Sequence, residues 1–157
     1  MLKTCCELLE EKEIKIAFIE SASSGYLTSQ FSICKGEGAE TLLGGLVCYD
    51  VGVKVSVLGL SQDLINSYTA ESMPVTVALA QAGKKMFQDA DWVIACTGLL
   101  KPGGSATPEK PEGTFFIAID DGVQVHQFHY YLKGTPQQRL NKLVAVLAHD
   151  MINLLNQ

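Results

Sequence analysis

The run Asp91-Trp92-Val93-Ile94-Ala95-Cys96-Thr97 constrains the fold more than any other segment of this chain. It is apolar without alternation and bounded by turn signals, the pattern of a strand covered on both faces. Such a strand needs helices on both sides of its sheet, and the flanking sequence supplies them. Leu2 to Lys12 carries an amphipathic helical pattern. Ile14, Ile16 and Phe18 alternate with polar or small residues in a strand ending at Glu20. The small residues Ser21–Gly25 form a turn, followed by a helix through Leu27 and Phe31. Gly36–Gly38 marks a loop, and Thr41–Tyr49 reads as a second strand. Val51–Leu58 fits either a short helix or a continuation of that strand. Ser72 is placed as N-cap of a long helix with Pro74 in its first turn and Val77, Leu79, Ala80 and Met86 on its core face. Thr114–Ile119 and Val123–Leu132 flank the hairpin turn Asp120-Asp121-Gly122. Thr135-Pro136 opens a last helix whose apolar face is Leu140, Leu143, Val144, Leu147, Met151 and Leu155. The order predicts an α/β fold, a single-domain three-layer α/β/α sandwich with a mixed sheet spanning residues 1–157.

That length suits one core, and no repeat or linker divides it. A formal net charge of -5 disfavours nucleic acid or an anionic membrane as partner, while leaving room for a local cationic pocket. The charged N-terminal stretch does not resemble a signal peptide, and no apolar run reaches the ~20 residues of a membrane span. The five cysteines form no CxxC pair, which fits a reducing compartment. The expected location is the cytoplasm.

Three segments could carry chemistry. Ser21, Ser23 and Ser24 occupy a strand-to-helix turn, where a hydroxyl can sit beside helix N-terminal amides that hold an oxyanion or a phosphate. The plainer reading is that these serines cap the helix. Lys54 could serve as the base for a serine if burial keeps it neutral, with Tyr49 orienting it or relaying a proton, although an isolated lysine is ordinarily a solvated surface charge. The stretch Gly98–Gly113 holds glycines, prolines, Lys101 and Lys110, a composition able to cradle a phosphate but lacking the P-loop spacing. His126 and His129 lie three apart on a strand and so face opposite ways, which excludes them as joint ligands of one metal. His149 stands alone, and Gly36-Glu37-Gly38 lacks the third glycine of a dinucleotide fingerprint.

Together these segments resemble the CinA C-terminal domain family, which includes stand-alone nicotinamide-nucleotide amidohydrolases. The family reads AESCTGG after its first strand, and Ile19–Tyr26 reads IESASSGY. It continues GGxVxYSNxxK, where Gly44–Lys54 keeps both glycines, Tyr49 and Lys54 in register. Its LLGV is echoed by Val57–Leu60, and its GIAGPxGGTPEKPVGT loop by Thr97–Thr114. The resemblance implies hydrolysis of the carboxamide of nicotinamide mononucleotide (NMN) to nicotinate mononucleotide and ammonia. Ser21 would be the nucleophile, Lys54 its activator and Tyr49 a supporting residue. The substrate-binding set it implies is Glu20, Ala22, Ser23, Ser24, Gly25, Gly45, Thr97, Gly98, Gly103, Gly104, Thr107 and Lys110. No metal or organic cofactor is implied, and the assembly is expected to be a homo-oligomer.

The chain also departs from the family pattern. Ser24 replaces a glycine, Asp50-Val51 replaces Ser-Asn, and Lys101 stands in a slightly longer loop where the family has glycine. Pro136 occupies the place of the first of the family's arginines, and Arg139 is displaced. These changes leave two other readings open: a paralogue without activity that binds a nucleotide or a protein, and a related amidase acting on another substrate.

Overall fold

The structure is a computed structural model that describes all residues, 1–157. In chain order the elements are α1 (Leu2–Glu11), β1 (Ile16–Glu20), α2 (Tyr26–Cys34), β2 (Leu42–Val47), α3 (Val51–Ser56), α4 (Gln62–Tyr68), α5 (Met73–Met86), β3 (Trp92–Gly98), β4 (Thr114–Asp120), β5 (Val125–Tyr131) and α6 (Pro136–Leu155). The sheet order is β2-β1-β3-β4-β5. β1 runs parallel to both β2 and β3, whereas β3, β4 and β5 are antiparallel neighbours, so the sheet is mixed.

The two faces carry separate cores. Ile16 and Phe18 of β1, Ile94 and Cys96 of β3, and Phe115, Ile117 and Ile119 of β4 join α1, α2 and α6 in a cluster of 21 buried residues. Ala17 and Ile19 alternate with them onto the other face, where Val93 and Ala95 meet α5 in a cluster of 12. Every residue of β1 and β3 is buried, as two-sided cover requires. The three-layer α/β sandwich expected from the sequence is therefore the fold observed.

Local chemistry sets the ends of the helices. Thr135 and Gln138 form a reciprocal capping box on α6, with Pro136 at a position that needs no N–H partner. Ser72 does precede α5, but its hydroxyl donates to the Thr69 carbonyl instead of capping. The ambiguous segment after Tyr49 is helix α3, started by Asp50, whose carboxylate accepts from the Gly52 N–H at 2.8 Å. α4, capped by Ser61, was not anticipated from the sequence. On α5 the buried face is Val75, Thr76, Leu79, Ala80 and Gly83; Val77 is only half-buried and Met86 is 42% exposed. Met86 fails as a core residue because the chain leaves the helix immediately after it.

The topology locates a crevice. From β1 the chain crosses by α2 on one face to β2, then returns by α5 on the opposite face to β3 on β1's other side. The strand order reverses at β1, and in parallel sheets ligands settle beyond the carboxyl ends of strands at such a point. The residues at those ends are Ser21, Tyr49 and the segment after Gly98.

α5 can lie this close to the sheet because position 83 has no side chain: a Cβ there would stand 2.5 Å from Ile19 Cγ1 and 2.7 Å from Val93 Cγ1. Helix propensity alone favours Ala over Gly by about 1 kcal/mol, but overpacking of this kind costs about 1–3 kcal/mol. Gly83→Ala is expected to lower the urea midpoint, and a raised midpoint would show that α5 is free to move off the sheet.

Candidate active site

The turn after β1 is organised by Glu20. Its carboxylate is fully buried and all of its hydrogen-bond partners lie in the N-cap and first turn of the next helix. Oε2 accepts from the N–H groups of Gly25 and Leu27, each at 3.0 Å. Oε1 accepts from the N–H of Thr28 at 2.7 Å and from its hydroxyl at 2.6 Å. Glu20 thus satisfies the orphan donors of α2 and places negative charge at its positive end. The serines do not cap this helix: its N-cap is Gly25, at φ +89°, with no side-chain bond. Ser24 is held at φ +49°, and its hydroxyl turns back to the Ser21 carbonyl at 3.3 Å. The Ser23 hydroxyl is buried and has no partner.

This arrangement leaves a donor free. The N–H of Ser21 bonds the Cys96 carbonyl, that of Ser24 the Ser21 carbonyl, and that of Tyr26 the Ser23 carbonyl. The N–H of Ala22 has no partner within the chain, whereas that of the buried Ser23 points at the Cys96 thiol.

The Ser21 hydroxyl faces Lys54. The Nζ–Oγ distance is 3.0 Å, although the two residues are 33 apart in sequence. Lys54 is fully buried. Its Nζ also donates to the Cys48 carbonyl at 2.5 Å and to the Tyr49 carbonyl at 3.2 Å. No carboxylate lies within ion-pair distance of it. Burial lowers its pKa from the ordinary 10.5, while Cys48, Glu71 and Asp50 pull weakly the other way. An ammonium meets these contacts with three donations, and a neutral amine meets them with its two hydrogens on the carbonyls and its lone pair accepting from the Ser21 hydroxyl. Because the folded state holds Lys54 below its unfolded pKa, this group makes stability rise with pH from its own pKa up to 10.5.

The pair opens onto a cleft of about 240 Å³ lined by Ser21, Ala22, Ser24, Tyr49, Glu71 and Gly98–Gly104. Tyr49 touches Lys54 only through its main-chain carbonyl; its side chain is 68% exposed and makes no bond to the pair. The N–H groups of Lys101, Gly103 and Gly104 have no partner in the chain. Arg139, buried, anchors this loop from beneath through the carbonyls of Leu100 (2.8 Å) and Leu132 (3.1 Å) and an ion pair with Glu112.

The residues expected to bind substrate divide between the cleft and its supports. Ala22, Ser24, Gly98, Gly103 and Gly104 line the cleft. Glu20 and Gly25 build the turn, and Gly45 in β2 packs against Thr28. Thr97 is buried and shares a 2.8 Å hydrogen bond with Thr76. Thr107 bonds the Lys110 N–H, and Lys110 Nζ spends its three hydrogens on Thr69 Oγ1, the Glu71 carbonyl and Ser105 Oγ. Glu71, unmarked in the sequence, is the carboxylate that does reach the cleft. His126 pairs with Asp121 and His129 stacks on Phe116, on opposite faces of β5.

The family model for the CinA C-terminal domain matches residues 1–155. This chain belongs to that family. A CinA-like protein of Prochlorococcus marinus is 34% identical over 152 residues, covering 94% of this chain and 34% of the relative. One from Fervidobacterium nodosum is 30% identical over 146 residues, covering 93% and 35%. This chain therefore spans about a third of the length of the curated relatives it matches. Among solved structures, a CinA superfamily protein from Klebsiella pneumoniae has a TM-score of 0.88 at 19% identity, over 99% of this chain and 96% of that one. One from Enterobacter cloacae has a TM-score of 0.86 at 23% identity, over 98% and 90%. At such identities the likeness carries the fold alone. No helix is long and apolar enough to cross a membrane.

Glu20→Gln would set an amide NH2 against N–H donors. Loss of these buried, charge-assisted bonds is expected to cost about 2–4 kcal/mol of stability, measured by denaturant unfolding. A change within experimental error would mean that α2 finds other caps.

Proposed function

We propose that this CinA-family domain is a metal-independent amidohydrolase that cleaves the carboxamide of NMN through Ser21 and Lys54. The observation that carries this reading is the 3.0 Å contact between Ser21 Oγ and a fully buried Lys54 that has no ion-pair partner. Few environments hold a lysine as a neutral base, and this one combines burial with two carbonyl acceptors and a hydroxyl on the lone-pair side.

In this mechanism Lys54 Nζ takes the Ser21 proton as Oγ attacks the amide carbon. The developing oxyanion is received by the N–H of Ala22, which lines the cleft and has no partner in the chain. Lys54 then returns the proton to the leaving nitrogen, and ammonia departs. A water, deprotonated by Lys54, attacks the acyl-Ser21 ester. The C–Oγ bond breaks, Lys54 returns the proton to Ser21 Oγ, and the carboxylic acid leaves as its carboxylate after losing its proton to solvent. The free amides of Lys101, Gly103 and Gly104, with the Lys101 ammonium, suit the phosphate end of the nucleotide.

Ammonia release from NMN tests the reading. Ser21→Ala and Lys54→Ala are each expected to reduce turnover by about two or more orders of magnitude, whereas Tyr49→Phe, whose phenol bonds neither residue, is expected to cost less than about tenfold. No release by the wild-type protein, with NMN binding retained, would replace the hydrolase by a nucleotide-binding paralogue.

The pH profile provides a second check. Only neutral Lys54 can accept the proton, so kcat/KM is expected to rise with pH through a pKa below the ordinary 10.5 and then level. A profile still climbing at 10.5 would contradict a desolvated base.

A further inference from the structure

Glu71 is a carboxylate on the wall of the cleft onto which Ser21 opens. It lies in the bend before α5, between elements that contribute nothing else to the cleft. Its position is fixed by a small network. Oε2 accepts from the Ser105 hydroxyl at 2.6 Å, and Ser105 Oγ in turn accepts from Lys110 Nζ at 2.9 Å. Lys110 also grips the Glu71 carbonyl at 2.7 Å, so side chain and backbone are held from one point. Oε1 has no hydrogen-bond partner in the chain. Tyr49, largely exposed, lines the same cleft, and its ring is an aromatic group of the kind that attracts cations.

A fixed carboxylate and an unpartnered aromatic face favour the same ligand chemistry. We infer that Glu71, assisted by the Tyr49 ring, determines specificity by selecting a carboxamide carried on a positively charged aromatic ring over the same amide on a neutral ring. The inference rests on the hydrolase reading above and names the residue that recognises the charge of the substrate ring. The cleft lining carries both charges such a substrate needs: Glu71 for the ring, and Lys101 with its neighbouring free amides for the tail. A cation seated there also disfavours protonation of Lys54 by like-charge repulsion, which keeps the base neutral when substrate is bound.

The test compares NMN, whose pyridinium ring is cationic, with dihydronicotinamide mononucleotide, which has the same amide, ribose and phosphate on a neutral ring. Binding is measured by calorimetry in a Ser21→Ala background, with no turnover to confuse the affinities. The chain with Glu71 is expected to bind NMN about tenfold or more tightly than the reduced nucleotide. Adding Glu71→Gln, which keeps the shape and the Ser105 acceptor, is expected to bring the ratio to within about twofold by weakening NMN alone. Glu71→Lys is expected to reverse the preference.

A ratio unchanged by Glu71→Gln, an equal loss for both ligands, or no binding of NMN would each overturn the inference. Ammonia release by the wild-type protein is scored separately. Release with a ratio insensitive to Glu71 removes this inference and keeps the hydrolase. Charge-selective binding without release removes the hydrolase and leaves Glu71 as the selector of a binding site.

Discussion

A primary amine with no exposed surface must either shed its proton or find a counter-charge, and Lys54 has no carboxylate in contact. What surrounds it are two main-chain carbonyls from the end of β2 and one serine hydroxyl from the end of β1. This constraint gives the parallel half of the sheet its chemical sense. β1 and β2 must be neighbours, in register through Glu20 and Val47, for the two ends to meet across the amine. α3 must begin at Asp50 for Lys54 to turn inward beneath them.

The second requirement is a turn that bares a donor. Serines at the start of a helix ordinarily spend their hydroxyls on its amides. Here Glu20 does that work from the strand side, and its carboxylate absorbs the donors of Gly25, Leu27 and Thr28. Ser21 is thereby free to face Lys54, and the N–H of Ala22 stays unpaired at the cleft. A strained residue, Ser24 at φ +49°, accompanies this geometry, consistent with strain concentrating where function is built. Arg139 and Lys110 stabilise the opposite wall, each by fixing carbonyls of the glycine-rich loop or of the bend at Glu71. These cations are structural, and Lys101 is the cation left in the cleft wall.

Much of the architecture was legible because its signals are local. The two-sided burial of β3, the capping box of α6 and the hairpin at Asp121 are written in adjacent residues. α4 escaped notice because its short pattern, with one fully buried side chain at Ile65, resembles a loop. Met86 was misread because helical spacing does not reveal where a helix ends relative to its sheet. At the site, Ser21 and Lys54 were separate candidates on chemistry, and the resemblance to a family joined them as nucleophile and activator, since their contact spans 33 residues and no spacing rule encodes it. The same limit hid Glu71, whose importance comes from a cleft assembled by distant segments. Lys110 looked like a phosphate ligand in composition, but the bend at Thr69–Glu71 already occupies its three hydrogens together with Ser105.

Everything proposed for the chemistry turns on the charge of one amine. The most direct measurement is an NMR titration of the lysine side-chain Cε signals, with the Lys54 resonance assigned by its loss in Lys54→Met. The account predicts that Lys54 titrates clearly below the ordinary 10.5 and is the outlier among the lysines. A Lys54 resonance titrating with the surface lysines, at or above 10.5, would mean that the amine is a buried ammonium and that Ser21 has no base.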